Sequence, residues 1–136
     1  MGRPMVVRNL QTKKDDIVNI TPEIKAIVAE SGVQEGIVVV HISHTTAALL
    51  CTSHWDVKGH IEIMQELDRL VPTRVNMLHQ DSPSDASGHV KSAIVGVSVT
   101  VPISGGEMVL SHSQGIFFAE FDGPRHRSYD VKVIDC

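Results

Sequence analysis

Aromatic residues make up only 4% of this 136-residue chain. Any core it builds must therefore be aliphatic, and its many valines and isoleucines favour strands over a helical bundle. Cysteine is scarce: Cys51 and Cys136 are too few for a disulfide framework, and both are expected as reduced thiols. The longest apolar run is about five residues, far short of the ~20 that a membrane helix needs, so no membrane partner is expected. No basic excess exists either. A formal net charge of −4 lacks the footprint of a nucleic-acid binder, and Arg125-His126-Arg127 suffices only to grip a small anion. Met1-Gly2-Arg3-Pro4-Met5 leads into no long apolar segment, so no secretory signal is expected and the expected location is cytoplasmic. Gly-rich phosphate loops and a Gly-x-Ser-x-Gly nucleophile elbow are also missing.

What remains is an ordinary globular composition, 42% hydrophobic and 21% charged, at a length that fits one domain over residues 1–136. Histidine is the exception. Eight in 136 residues is more than twice the ~2% expected against ordinary composition. His41, His44, His54 and His60 crowd into one stretch.

Alternation predicts a first strand over 5–12. Thr21-Pro22-Glu23 predicts a helix start, with Thr21 as the capping side chain, and Gly32 an end. The near-continuous apolar run 36–43 predicts a central strand covered on both faces, and 44–52 a second extended segment after a bend. Apolar spacing predicts the main helix over 56–71, capped by Asp56 and stopped by Pro72. The polar stretch 76–88 reads as a loop, followed by a short helical turn over 89–94. Val97, Val99, Val101 and Ile103 alternate with polar residues, and Pro102 there predicts an edge or a bulge. A turn at 104–107 and strands over 108–111, 114–122 and 126–134 complete an antiparallel meander. The class is α+β, mostly antiparallel strands with two main helices.

The candidate chemistry begins where the 36–43 strand runs into His41, His44, Thr45 and Thr46. Residues three apart on a straight strand face opposite sides, so His44 is favoured for a site and His41 for a structural role. Neutral imidazoles converging from several segments hold metals, and His44, His79, His89 and His112 lie at loops or strand ends, with Asp81 and Glu120 as nearby carboxylates. Thr45, Thr46, Lys91, Arg125 and Arg127 offer hydroxyls and charge for a phosphate. Glu120 is a lone charge in an apolar strand. It is either paired, with Arg125 or Arg127 as partner, or functional.

Three segments in order, His44-Thr45-Thr46-Ala47-Ala48-Leu49, His89-Val90-Lys91-Ser92-Ala93-Ile94-Val95-Gly96 and Gln114 to Arg125, resemble the YjbQ-like family over essentially the whole chain. The family is associated with a secondary thiamine-phosphate synthase activity. The resemblance implies a compact α+β fold assembled as a homotrimer, with a site near subunit boundaries. It implies catalytic roles for His44, His89 and Glu120. Substrate binding would fall to Thr45, Thr46, Lys91, Gln114 and Arg125, and a divalent metal, Zn or Mg, to His44, His79 and His89. The implied partner is a small phosphorylated molecule. The alternatives are a non-enzymatic trimer binding a metal or small anion, and a metal-dependent hydrolase. Two departures stand out. The family usually carries an Asn-Glu acidic stretch where this chain has Thr52-Ser53-His54-Trp55-Asp56, and Thr-Trp where it has His112-Ser113.

Overall fold

The structure, a computed structural model, describes residues 3–73, 78 and 82–136. Its strands are β1 (Val6–Gln11), β2 (Ile17–Asn19), β3 (Glu35–His41), β4 (Ala47–Ser53), β5 (Ser98–Ser104), β6 (Glu107–Met108), β7 (Gln114–Glu120) and β8 (His126–Asp135). Three helices, α1 (Thr21–Ser31), α2 (Val57–Leu70) and α3 (Pro83–Val95), lie between them. The α+β class holds.

The strands form two sheets, ordered β1-β8-β3-β5-β6 and β2-β7-β4, with every pair antiparallel. The expected meander is therefore not present. β5 and β6 form a hairpin, but β7 crosses to the second sheet and β8 returns to lie between β1 and β3. Alternation fixes which face of a strand is buried, not which partner it chooses, so the late strands read as neighbours when they are not.

β3 is the middle strand of its sheet, as expected, but only one face is fully covered. Val38 and Val40 are buried while Ile37 and Val39 are half-buried. At Gly36 β3 lies close against β8, since a Cβ there would lie 2.0 Å from the Ile134 carbonyl oxygen. Pro102 lies opposite the residue after β6: its carbonyl oxygen accepts from the Val109 N–H at 2.8 Å, it has no N–H to return the bond, and the regular pairing with β6 stops at Ile103. The aliphatic core gathers α1 (Ile24, Val28), β3 (Val38, Val40), β7 (Ile116, Phe118) and β8 (Val131).

The helices differ from expectation in three ways. Thr21 does not cap α1. Its backbone N–H is taken by Asn19 Oδ1 at 3.0 Å, while its hydroxyl bridges to the backbone of Ile116. Asp56 occupies the N-cap position of α2 without making a side-chain cap bond. In that helix the apolar stripe buries Met64 and half-buries Leu67, yet leaves Val57 and Ile61 exposed at 68% and 53%.

The third difference is α3. The loop expected over 76–88 is helical from residue 83 onward, and the short turn over 89–94 is the second half of that helix. Ser82 Oγ accepts from the Asp85 N–H at 3.0 Å, a side-chain N-cap at the spacing of a capping box. Ser, Asp and Gly suggested a loop because they compete with helix formation when solvated. Here Gly88 lies at a close contact: a Cβ at that position would sit 3.4 Å from both the Thr46 side chain and the Phe121 carbonyl oxygen. The helix thus lies directly on the segment that opens β4.

Candidate functional site

The residues that open β4, close β7 and begin β8 meet around one buried ion pair. Glu120 is 0% exposed and Arg127 7%. Arg127 Nε donates to Glu120 Oε1 at 2.7 Å, and its Nη2 pairs with Oε2. The Thr12 hydroxyl and the Asp122 N–H also donate to the same carboxylate. Burial pushes the Glu120 carboxyl up, but the bonds from Arg127, Thr12 and Asp122 outweigh it and hold the group below the usual carboxylate range. Arg127 Nη2 also donates to Thr46 Oγ1 at 2.7 Å. Of the two partners foreseen for Glu120, Arg127 is the one used. With four donors and no solvent access, this carboxylate has its hydrogen-bonding capacity met within the protein.

Next to the hub lies a more open polar chain. Arg125 Nε and Nη2 both donate to Asp122 Oδ2, at 3.1 and 2.6 Å, and Nη2 lies 3.9 Å from Asp85 Oδ1. Ser84 donates to Asp122 Oδ1 at 3.0 Å. His89 Nε2 lies 3.4 Å from Asp85 Oδ2, one helical turn away. Burial would raise the Asp122 carboxyl, but Arg125 and Ser84 hold it below its ordinary value. Half of the Arg125 side chain is exposed, so its guanidinium keeps donors for a ligand.

Lys91 is 1% exposed, which is unusual for a lysine. Its ammonium pairs with Asp68 of α2 and lies 5.9 Å from the Phe121 ring centroid. A cavity of about 330 Å³ opens here, lined by Lys14, Asp15, Asp68, Thr73, Ser84 and Lys91. Burial and the nearby Asp68 push the Asp15 carboxyl up. His89 and Lys91 do not point together, because residues two apart on a helix are separated by roughly 200°. His89 faces Asp85 while Lys91 faces the cavity.

His44 is half-buried between the sheets. Its Nε2 lies 3.1 Å from both the amide nitrogen and the carbonyl oxygen of Ser128, and its ring meets Phe118 edge-on at 6.3 Å. Burial, then the Arg127 guanidinium, hold its imidazole below the ordinary histidine range, so it is neutral at pH 7. His41 sits at the end of β3 with Nδ1 3.4 Å from Asp130, in keeping with a structural role. Thr45 is exposed.

The fold therefore brings Thr46, Glu120 and Arg127 together, and beside them His89, Arg125 and, facing the cavity, Lys91. It does not bring Gln114 to that place. Gln114 and Glu120 stand at opposite ends of β7, roughly 20 Å apart, and Gln114 Oε1 accepts from the Ser111 N–H at 3.2 Å. His79 and Asp81 lie outside the described residues. Among the described residues no three His, Cys, Asp or Glu side chains are arranged to hold a metal ion, so His44 and His89 do not complete the expected metal site by themselves. Sequence reasoning passed over Asp68, Asp85 and Asp122. The Ser82-x-x-Asp85 spacing was a signal for one of them, while nothing local marks Asp68 as the partner of Lys91.

Two antiparallel sheets braced by a buried Glu–Arg pair, with three helices packed around them, define a small α+β protein built about an internal ionic hub. The chain belongs to the UPF0047 protein YjbQ-like family, whose model matches residues 7–136. It is 43% identical over 122 residues to a UPF0047 protein of Methanocaldococcus jannaschii, covering 90% of this chain and 87% of that one. To the UPF0047 protein YugU of Bacillus subtilis it is 32% identical over 123 residues, covering 90% and 92%. Among solved structures, a YjbQ/UPF0047-family protein of Clostridium acetobutylicum superposes with a TM-score of 0.88 at 34% identity, covering 95% of this chain and 99% of that one. A protein of unknown function from Sulfolobus solfataricus superposes at 0.91 with 25% identity, covering 98% and 97%. Among the described residues no helix is long and apolar enough to cross a membrane.

Proposed function

We propose that this chain is a thiamine-phosphate synthase-like transferase acting on a small phosphorylated substrate at the Lys91 cavity. A cytoplasmic location belongs to the same proposal. The observation that carries this reading is a buried lysine facing a cavity, with Lys14 also lining it and Arg125 linked to it through Asp122 and Ser84. In the reaction a thiazole ring nitrogen attacks the methylene carbon of a pyrimidine-methyl diphosphate. The C–O bond breaks, and pyrophosphate leaves with the electron pair. The new thiazolium nitrogen carried no proton, so the step requires no general base. What it requires is positive charge at the leaving group, and Lys91, Lys14 and Arg125 are the side chains suited to supply it. Glu120 and Thr46 then act through Arg127, by fixing the segments that carry Arg125 and the cavity wall. A divalent ion is part of the expectation, but the described residues do not form a site for one, and no step here depends on it.

The test is turnover with the two precursors, and the expected result is product whose rate falls at least a hundredfold in Lys91→Met, which keeps the buried chain length. If the wild-type protein forms no product yet binds inorganic phosphate, the second reading, a small-anion-binding protein, replaces this one. If Lys91→Met turns over normally, the cavity is misassigned.

The same proposal includes a homotrimer. Its support is apolar surface that a monomer leaves open: Val7 and Ile134 on the five-stranded sheet, and Val57 and Ile61 on α2. Sedimentation equilibrium is expected to give three times the 14.8 kDa chain mass. A monomer mass at micromolar concentration would remove the trimer.

A further inference from the structure

At the opposite end of β7 from the hub, two histidine-bearing segments come together in space. His54 comes from the run after β4, and His112 from the segment before β7. The His54 N–H donates to the Ser113 carbonyl at 2.8 Å. His54 Nε2 donates to the His112 carbonyl oxygen at 2.9 Å, and Trp55 Nε1 reaches the same oxygen at 3.4 Å. One carbonyl thus ties down the edges of two rings. The His54 and Trp55 rings stack at 5.1 Å and 25°, and His112 meets Trp55 edge-on at 5.2 Å. Three aromatic rings are fixed at the surface although Trp55 remains 63% exposed.

This cluster flanks a cleft of about 680 Å³ between α1 and the segment joining β6 to β7. That volume is typical of small-molecule sites. His54 and His112 line it, together with Lys25, Glu107, Asn19 and Gln114. Exposed, edge-anchored rings beside a mixed-charge cleft suit a flat ligand: they stack without having to be ordered on binding.

We infer that this cleft binds a small amino-substituted heteroaromatic ring carrying one anionic group. The ring stacks at the His54–Trp55 surface, the amino group is accepted by Glu107, and the anion pairs with Lys25. The site lies away from the Lys91 cavity and does not depend on the transferase reading.

Trp55 is the only tryptophan in the chain, so its fluorescence reports on this place alone. AMP is the probe, and ribose 5-phosphate the control without a ring. AMP is expected to change Trp55 emission saturably, with ribose 5-phosphate at least tenfold weaker. His54→Ala, at an exposed position, is expected to weaken AMP about tenfold, in line with the stacking energy of one base. Lys25→Ala, also exposed, is expected to weaken AMP and leave adenosine unchanged. Calorimetry on Trp55→Phe checks that the signal follows binding. No saturation by AMP into the millimolar range, or equal binding of AMP and ribose 5-phosphate, overturns the inference. Neither outcome bears on turnover at Lys91.

Discussion

Arg127→Ala is expected to destabilise the protein by about 3–5 kcal/mol, the cost of leaving a buried charge without its partner. Glu120 is fully enclosed, and alanine offers no donor to replace the guanidinium. The pH dependence should change sign with the mutation. In the native protein the Glu120 carboxyl lies below its unfolded value. Its contribution is therefore fully present above the unfolded carboxyl pKa of ~4.3 and is lost as pH falls through the folded value. In Arg127→Ala the depressing partner is gone and burial dominates, so the folded pKa rises. Protonation then favours the folded state, and the variant recovers stability as pH falls from 8 towards about 4. Thermal melts of both proteins across that range should show the gap narrowing on acidification. Adding Glu120→Gln to Arg127→Ala should recover part of the loss at neutral pH. A gap that stays constant or widens on acidification would mean that Glu120 is not held charged by Arg127.

Gly36→Ala is the second large effect. The added Cβ would lie 2.0 Å from the Ile134 carbonyl oxygen and 3.0 Å from Val33 Cγ1. The nearer obstacle is backbone in a paired strand, which cannot rotate aside. β3 must move off β8 over several residues, at a cost of about 3 kcal/mol. Urea unfolding should show a lower midpoint. An unchanged midpoint would mean that the two strands separate more easily than their register implies.

The parts of this fold that could be read from the chain are those whose signal is local. The alternation in β5, the start and Gly32 end of α1, and the apolar run of β3 each carry their own pattern. The sheet assignment of β7 and β8 does not, because each pairs with strands about a hundred residues away. α3 was hidden by Gly88, a residue poor for helices in isolation, which here sits where the helix packs closely on Thr46. Glu120 was recognisable as a buried charge seeking a partner, yet Arg125 and Arg127 were equivalent candidates. What separates them is where the strand begins: Arg127 lies inside β8 on its buried, odd-numbered face and reaches the hub, whereas Arg125 precedes the strand and pairs with Asp122 at the surface. The grouping of histidines overstated their unity. His44, His89 and the His54–His112 pair occupy three different environments.

The strand order has a consequence for synthesis on the ribosome. β1 has β8 as its hydrogen-bonded neighbour, and β2 has β7. The first two strands to emerge must therefore wait for residues beyond 113 before their backbones find partners. Neither the five-stranded nor the three-stranded sheet can close while the chain is still short. Such late, long-range closure slows folding and keeps unpaired edges open to other chains in the meantime. The hub follows the same schedule, since Thr12 and Thr46 are made early and Glu120 and Arg127 last. The N-terminal half of this protein is thus held unfinished until its final strands arrive, and the ion pair forms only when both sheets are complete.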